Sequence, residues 1–207
     1  MSDERLYIAM LSLHGLVRGE RIELGRDADT GGQVQYVVDL ARALSAHPDV
    51  GRVDLFTRQV FDRKVDPEYA EPKERLAERA WLIRVPFGPR RYLRKEALWP
   101  YLDELVDGVL AHIRRIDHFP DLIHGHYADG GLAATRLAGL LGVPMGFTGH
   151  SLGRIKRQRL EAQGVAPEAI EDKYAISTRV EAEEAALDAA KIVVTSTAQE
   201  KIGRAHV

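Results

Sequence analysis

The residues best suited to chemistry fall in three short runs, each after an apolar stretch of strand length or the loop that follows it. The first is Gly25-Arg26-Asp27-Ala28-Asp29-Thr30-Gly31-Gly32-Gln33. Two glycines at a helix start leave backbone N–H groups uncovered, and the helix dipole adds positive potential there. Gly31 and Gly32 therefore suit a phosphate or the diphosphate of a nucleotide sugar. Gln33, in the first turn, can donate to and accept from a sugar hydroxyl. The same residues also fit a plain tight turn with Thr30 as N-cap. They do not form the Gly-x-Gly-x-x-Gly dinucleotide fingerprint, and the loop from His14 to Thr30 is too long for that turn.

The second run is His124-Gly125-His126-Tyr127-Ala128-Asp129-Gly130-Gly131. Polar side chains at a strand's C-terminal end are where open α/β sheets bind ligands. Two histidines near an aspartate admit a metal, but a strand end is expected to turn the two rings apart and no second ligand pair is evident, so no metal is expected. Tyr127 is the better candidate for ligand contact, and Asp129 is expected to cap the helix that follows. The third run, Thr148-Gly149-His150-Ser151-Leu152-Gly153, contains a Gly-x-Ser-x-Gly string around Ser151. A hydrolase of that type needs an acid and then a histidine further on, and only His206 follows. Lys95, Lys156 and Arg179 each lie near the end of an expected element. Converging on one cleft they would hold a phosphorylated substrate, with the arginine supplying a bidentate grip; taken singly, each fits an ordinary surface charge.

The elements that position these runs follow from the apolar pattern. Strands are expected at Leu6 to Leu13, Val53 to Thr57, Trp81 to Pro86, Asp121 to His124, Val143 to Thr148 and Lys191 to Thr195. Helices are expected from Gly31–Gly32 to Pro48, over Lys95 to Ile116, over Gly130 to Leu141 and, as one long charged stretch, over Pro167 to Ala190. Asp62 to Glu78, charged and carrying Pro67 and Pro72, is expected to be surface loop with a short helix. Strands alternating with helices predict an α/β fold, with a mostly parallel, Rossmann-like sheet covered by helices on both faces. The strands lack polar alternation, as expected when both of their faces are buried.

Composition narrows the function classes. Of 207 residues 45% are hydrophobic and 29% charged, with a formal net charge of -2, so bulk electrostatics points to no nucleic-acid or membrane partner. No apolar run approaches the roughly 18 residues that span a bilayer. The polar start from Met1 to Arg5 is unlike a signal peptide, and the absence of cysteine fits a reducing cytoplasm, so a soluble cytoplasmic protein is expected. Ile202 to Val207 can be encoded by a widely used sequencing-adapter sequence. The expectation is therefore a native domain over residues 1–200 and a non-native tail over 201–207.

Six strings, taken in order, resemble the sucrose-phosphate synthase family. They are the Gly25–Gln33 run, Lys95-Glu96-Ala97-Leu98-Trp99-Pro100, the His124–Gly131 run, Thr148 to Gly153, Arg179-Val180-Glu181-Ala182-Glu183-Glu184, and Thr195-Ser196-Thr197-Ala198-Gln199-Glu200. The resemblance implies the N-terminal, acceptor-binding half of a two-domain glycosyltransferase B fold, whose C-terminal donor-binding domain is absent here; alone, the half is expected to be inactive. It implies transfer of glucose from UDP-glucose to fructose 6-phosphate with retention, and no cofactor. Gly31 and Gly32 would face the donor diphosphate, and His150 would sit beside the transferred glucose as the catalytic residue. Gln33, Lys95, Tyr127, Ser151, Lys156 and Arg179 would hold the acceptor. One departure is Thr178, where the family often has a second arginine before Arg179; it keeps open the sucrose synthase alternative, with unphosphorylated fructose as acceptor. A non-catalytic sugar-phosphate binding module and a nicotinamide-dependent oxidoreductase are further alternatives, the last opposed by the missing glycine fingerprint.

Overall fold

The computed structural model describes residues 5–195. Strands β1 (Leu6–Leu11), β2 (Val50–Arg58), β3 (Lys73–Ala77), β4 (Ala80–Val85), β5 (Leu122–His126), β6 (Met145–Thr148) and β7 (Ile192–Val194) form one sheet in the order β3-β4-β2-β1-β5-β6-β7. Every pairing is parallel except β3 with β4. Because β1 lies between β2 and β5, the chain winds outward in both directions from it, and a crevice opens beyond the carboxyl ends of β1 and β5. The predicted parallel α/β architecture is therefore the one observed.

Alternation along the strands sends side chains to two cores. Ile8 and Met10 of β1, Val53 and Leu55 of β2 and Leu82 of β4 pack on α1 (Gly32–Ala46), whose Val34, Val37, Val38 and Ala41 form one helical stripe. Ala9, Leu11, Phe56, Ile83, Met145 and Phe147 point the other way. There α2 (Leu102–Ile116) and α3 (Tyr127–Leu141) cover them, together with Ala186 of α6 (Ile176–Ala189). Helix α3 comes close because glycines face the sheet. A methyl on Gly130 would lie 2.7 Å from the Leu11 carbonyl oxygen, and one on Gly131 2.5 Å from the Phe147 ring. Helices α4 (Gly153–Ala162) and α5 (Pro167–Tyr174) complete the rim beside α6. None of the helices among the described residues is long and apolar enough to cross a membrane.

Several expected boundaries are corrected. The stretch read as surface loop contains β3, an antiparallel edge strand of sequence KERLA whose one buried residue is Leu76. Helix α2 starts at Leu102 and not Lys95, after two short 3-10 turns at Lys95–Ala97 and Trp99–Tyr101. Pro100, without an N–H and with its ring against the preceding turn, cannot sit inside an α-helix there. The long helix from Pro167 breaks at Ala175, which is left-handed at φ 45°, and Glu171 then caps α6 by accepting from Ser177 N. Helix α4 was not anticipated. Thr30 is not the N-cap of α1. That position is Gly31, while Thr30 Oγ1 accepts from Leu16 N and donates to Asp27. The expected end of the native domain, the 201–207 tail and most of the Thr195–Glu200 string lie outside the described residues.

Candidate functional site

The segments after β1, β4, β5 and β6 meet over the crevice and line an open cleft of about 430 Å³. Gly31, Gly32, Gln33, Lys95, Tyr127, His150, Ser151, Lys156 and Arg179 all line it, so the residues singled out from sequence come together in one place. Its floor is the start of α1. No atom lies within 4 Å of where a side chain on Gly31 or Gly32 would project, so the helix N-terminus is open. Gln33 is steadied from behind by Ser12 Oγ at 3.3 Å.

One wall carries the three basic groups, and they differ in what already holds them. The Lys95 ammonium is bonded to Asp29, whose other oxygen accepts from the Lys95 backbone N–H at 2.9 Å; Glu96 lies 3.5 Å away. Arg179, almost wholly buried, donates through Nε to Glu183 at 2.8 Å and through Nη2 to the Ser151 carbonyl and hydroxyl at 2.8 and 2.9 Å. Its guanidinium stacks on the Tyr127 ring, 4.5 Å from the centroid. Lys156 has no carboxylate within ion-pair distance among the described residues. Its ammonium rests over Tyr174, 3.5 Å from the ring centroid. Burial, then the repulsion of Arg179 and Lys95, brings its pKa down to about 8. Three cations on one wall with one uncompensated make a place that is short of an anion.

Behind His150, which lines the cleft, lie two further imidazoles. His124 and His126 are two apart on β5, so they share a face, and their ring centroids lie 4.2 Å apart; the expectation that the strand would separate them is corrected. His124 Nε2 is 2.8 Å from Thr148 Oγ1 on β6, and His126 Nδ1 is 3.1 Å from His150 Nε2. Burial lowers the His124 and His150 pKa values to about 4, so both rings are neutral at neutral pH. Among the described residues no group of three His, Asp or Glu side chains is arranged to hold a metal ion. Tyr127, the first residue after β5, and His150, the second after β6, both have left-handed backbones at φ 63° and 58°. Such conformations in non-glycine residues cost energy and are held only where the surroundings enforce them.

His14 also lines the cleft and was not anticipated from sequence. Its Nδ1 lies 3.0 Å from Asp129 Oδ2, across 115 residues, and its ring meets Tyr127 edge-on. Asp129 thus sits inside the first turn of α3 and steadies His14; the N-cap of that helix is His126. The Gly-x-Ser-x-Gly string makes no nucleophile pair, since Ser151 Oγ is held by Arg179 and the His150 ring turns to His126.

Fold and cleft together define one Rossmann-like half of a glycosyltransferase of B-type fold. The chain belongs to the family described as the sucrose synthase first GT-B domain, which it matches over residues 4–206. It is 53% identical to probable sucrose-phosphate synthase 1 of Oryza sativa subsp. indica, over 96% of this chain and 21% of that protein. It is 52% identical to sucrose-phosphate synthase of Zea mays over the same shares. Among solved structures it is similar to sucrose-phosphate synthase from Thermosynechococcus elongatus, with a TM-score of 0.74 and 28% identity, covering 96% of this chain and 44% of that one. The chain spans about a fifth of the length of the curated relatives it matches.

Proposed function

We propose that this domain is the acceptor-binding half of a retaining glycosyltransferase that moves glucose from UDP-glucose to fructose 6-phosphate, giving sucrose 6-phosphate and UDP. The observation that carries this reading is the uncompensated Lys156 beside Arg179 and Lys95 on one wall of the cleft. A phosphate ester there meets two lysine ammoniums and a guanidinium, and relieves their mutual repulsion. Tyr127 and Ser151 hold the sugar on that wall, and Gln33 binds a hydroxyl from the floor. A sugar nucleotide, gripped between this domain and a second one, places its diphosphate at the open start of α1. There the Gly31 and Gly32 region offers backbone N–H groups to the charge that builds as the bond from glucose to diphosphate breaks. His150 lies beside the transferred glucose. The incoming acceptor hydroxyl forms the new bond on the same face and gives its proton to a leaving phosphate oxygen. This needs no carboxylate pair, and the one carboxylate that lines the cleft among the described residues, Asp29, is engaged by Lys95. A cysteine-free chain suits a cytoplasmic enzyme.

A second reading is a sucrose synthase-like enzyme that takes free fructose, favoured by Thr178, which is exposed next to Arg179 where a second arginine would strengthen a phosphate grip. Transfer by the full-length protein with UDP-glucose, comparing the two acceptors, separates them. Strong preference for fructose 6-phosphate is expected. Preference for fructose would give the basic wall a structural role and move the enzyme to the second class.

A further inference from the structure

His126 does no work in the chemistry above, yet its surroundings are unusual. The ring is completely buried, its Nδ1 reaches His150 Nε2 at 3.1 Å, and its own Nε2 has no partner. The groups that face it are aromatic: His124 from the same strand, His150 from the end of β6, and Tyr36 from α1 at 6.1 Å between ring centroids. Burial and then the two neighbouring imidazoles hold its pKa well below the ordinary value, so it is a neutral ring with a single proton.

Two neutral rings can share one hydrogen bond in two ways. If His150 donated, the His126 proton would have to sit on Nε2, an N–H sealed in the interior without an acceptor. Buried N–H groups of that kind are the rarer and costlier orphans. If His126 donates, its Nε2 is left with only a bare lone pair. We propose that His126 is a positioning residue for His150. Its Nδ1–H donates to His150 Nε2, fixing His150 as the Nδ1-protonated tautomer and leaving that N–H as the group offered to a ligand in the cleft. The left-handed backbone of His150 serves the same end, aiming its ring at β5. That His150 meets a sugar rests on the proposed function; the tautomer does not.

Nitrogen NMR of the histidine-labelled chain reads the tautomer directly, because protonated and bare ring nitrogens resonate far apart. His150 is expected to show a protonated Nδ1 and a bare Nε2. In His126→Asn the side-chain amide reproduces the donor at the Nδ1 position, and the pattern is expected to persist. In His126→Leu the donor is gone, and loss of the single Nδ1–H form is expected. A protonated Nε2 on His150 in the parent chain overturns the proposal whether or not either variant folds. An unchanged pattern in a His126→Leu chain that keeps the parent amide spectrum overturns it equally. If the tautomer is as assigned but the full-length protein transfers no glucose, the failure belongs to the proposed function and not to this assignment.

Discussion

Two buried polar regions of this domain use the same residue types to opposite ends. Near the start of the sheet, Asp54 of β2 accepts from Tyr7 OH at 2.8 Å, from His112 Nε2 at 3.0 Å and from Arg52 Nε at 3.0 Å. Burial pushes the Asp54 carboxyl up, but the His112 bond and the Arg52 charge outweigh it and hold the pKa below the ordinary value. Arg115 donates to His112 Nδ1, which leaves the proton on Nε2, facing the carboxylate. Opposite charges surround one centre, so its charge is balanced, although Asp54 Oδ1 and Arg52 Nη2 lie buried without a hydrogen-bond partner. In the cleft, like faces like: imidazole meets imidazole, and Lys156 meets Arg179 and Lys95. Internal pairing there is incomplete, and the shortfall is what a ligand can supply. A buried polar cluster thus signals function through uncompensated charge, more than through its composition.

This contrast can be broken experimentally, and acid should have the largest effect. His124 and His150 titrate near 4 in the folded chain against about 6.5 when unfolded, so between those values the unfolded chain binds more protons. The stability they contribute is present above pH 6.5 and is expected to fall by up to roughly 1.4 kcal/mol per pH unit for each ring toward pH 4. Urea unfolding at stepped pH measures it. A flat profile would mean that water reaches the rings. Next is Asp54→Ala, which strands Arg52, His112 and the Tyr7 hydroxyl and is expected to cost about 3–5 kcal/mol in chemical denaturation. Fructose 6-phosphate binding by the folded fraction should stay unchanged; lost binding would couple the two regions.

Lys156→Met reverses that pattern. Stability is expected to shift by no more than about 0.5 kcal/mol. Fructose 6-phosphate binding by calorimetry should weaken about 10- to 100-fold, the worth of one charged hydrogen bond. Free fructose should be unaffected, and an equal loss for both sugars would remove the phosphate from that wall. The smallest effect is the sharpest test. Only protonated Lys156 attracts the ester, so with a pKa of about 8 its contribution should fade as pH rises past that value. Binding that holds constant to pH 9.5 would assign the anion to Arg179 and Lys95 alone.

The sheet was legible from unbroken apolar runs such as Tyr7 to Leu11, since a strand buried on both faces has no polar alternation to confuse it. β3 was hidden because an edge strand needs only one buried side chain, Leu76. Helix α4 was hidden because it lies on the cleft's rim with mostly polar residues and a single buried one, Gly153. The break at Ala175 had no glycine to announce it. Within the cleft, glycine pairs and strand-end histidines marked their own positions. The His14–Asp129 contact joins residues 115 apart, and nothing local in either segment encodes it.

The close seating of α3 turns that helix into a lever. Its first turn carries Tyr127 to the cleft and Asp129 behind His14, while Gly130 and Gly131 rest against Leu11 and Phe147 with no room for one more carbon. Any side chain added there must lift the helix, and with it the ring under Arg179 and the anchor of His14. The shape of the cleft can therefore be retuned from beneath, by residues that do not line it.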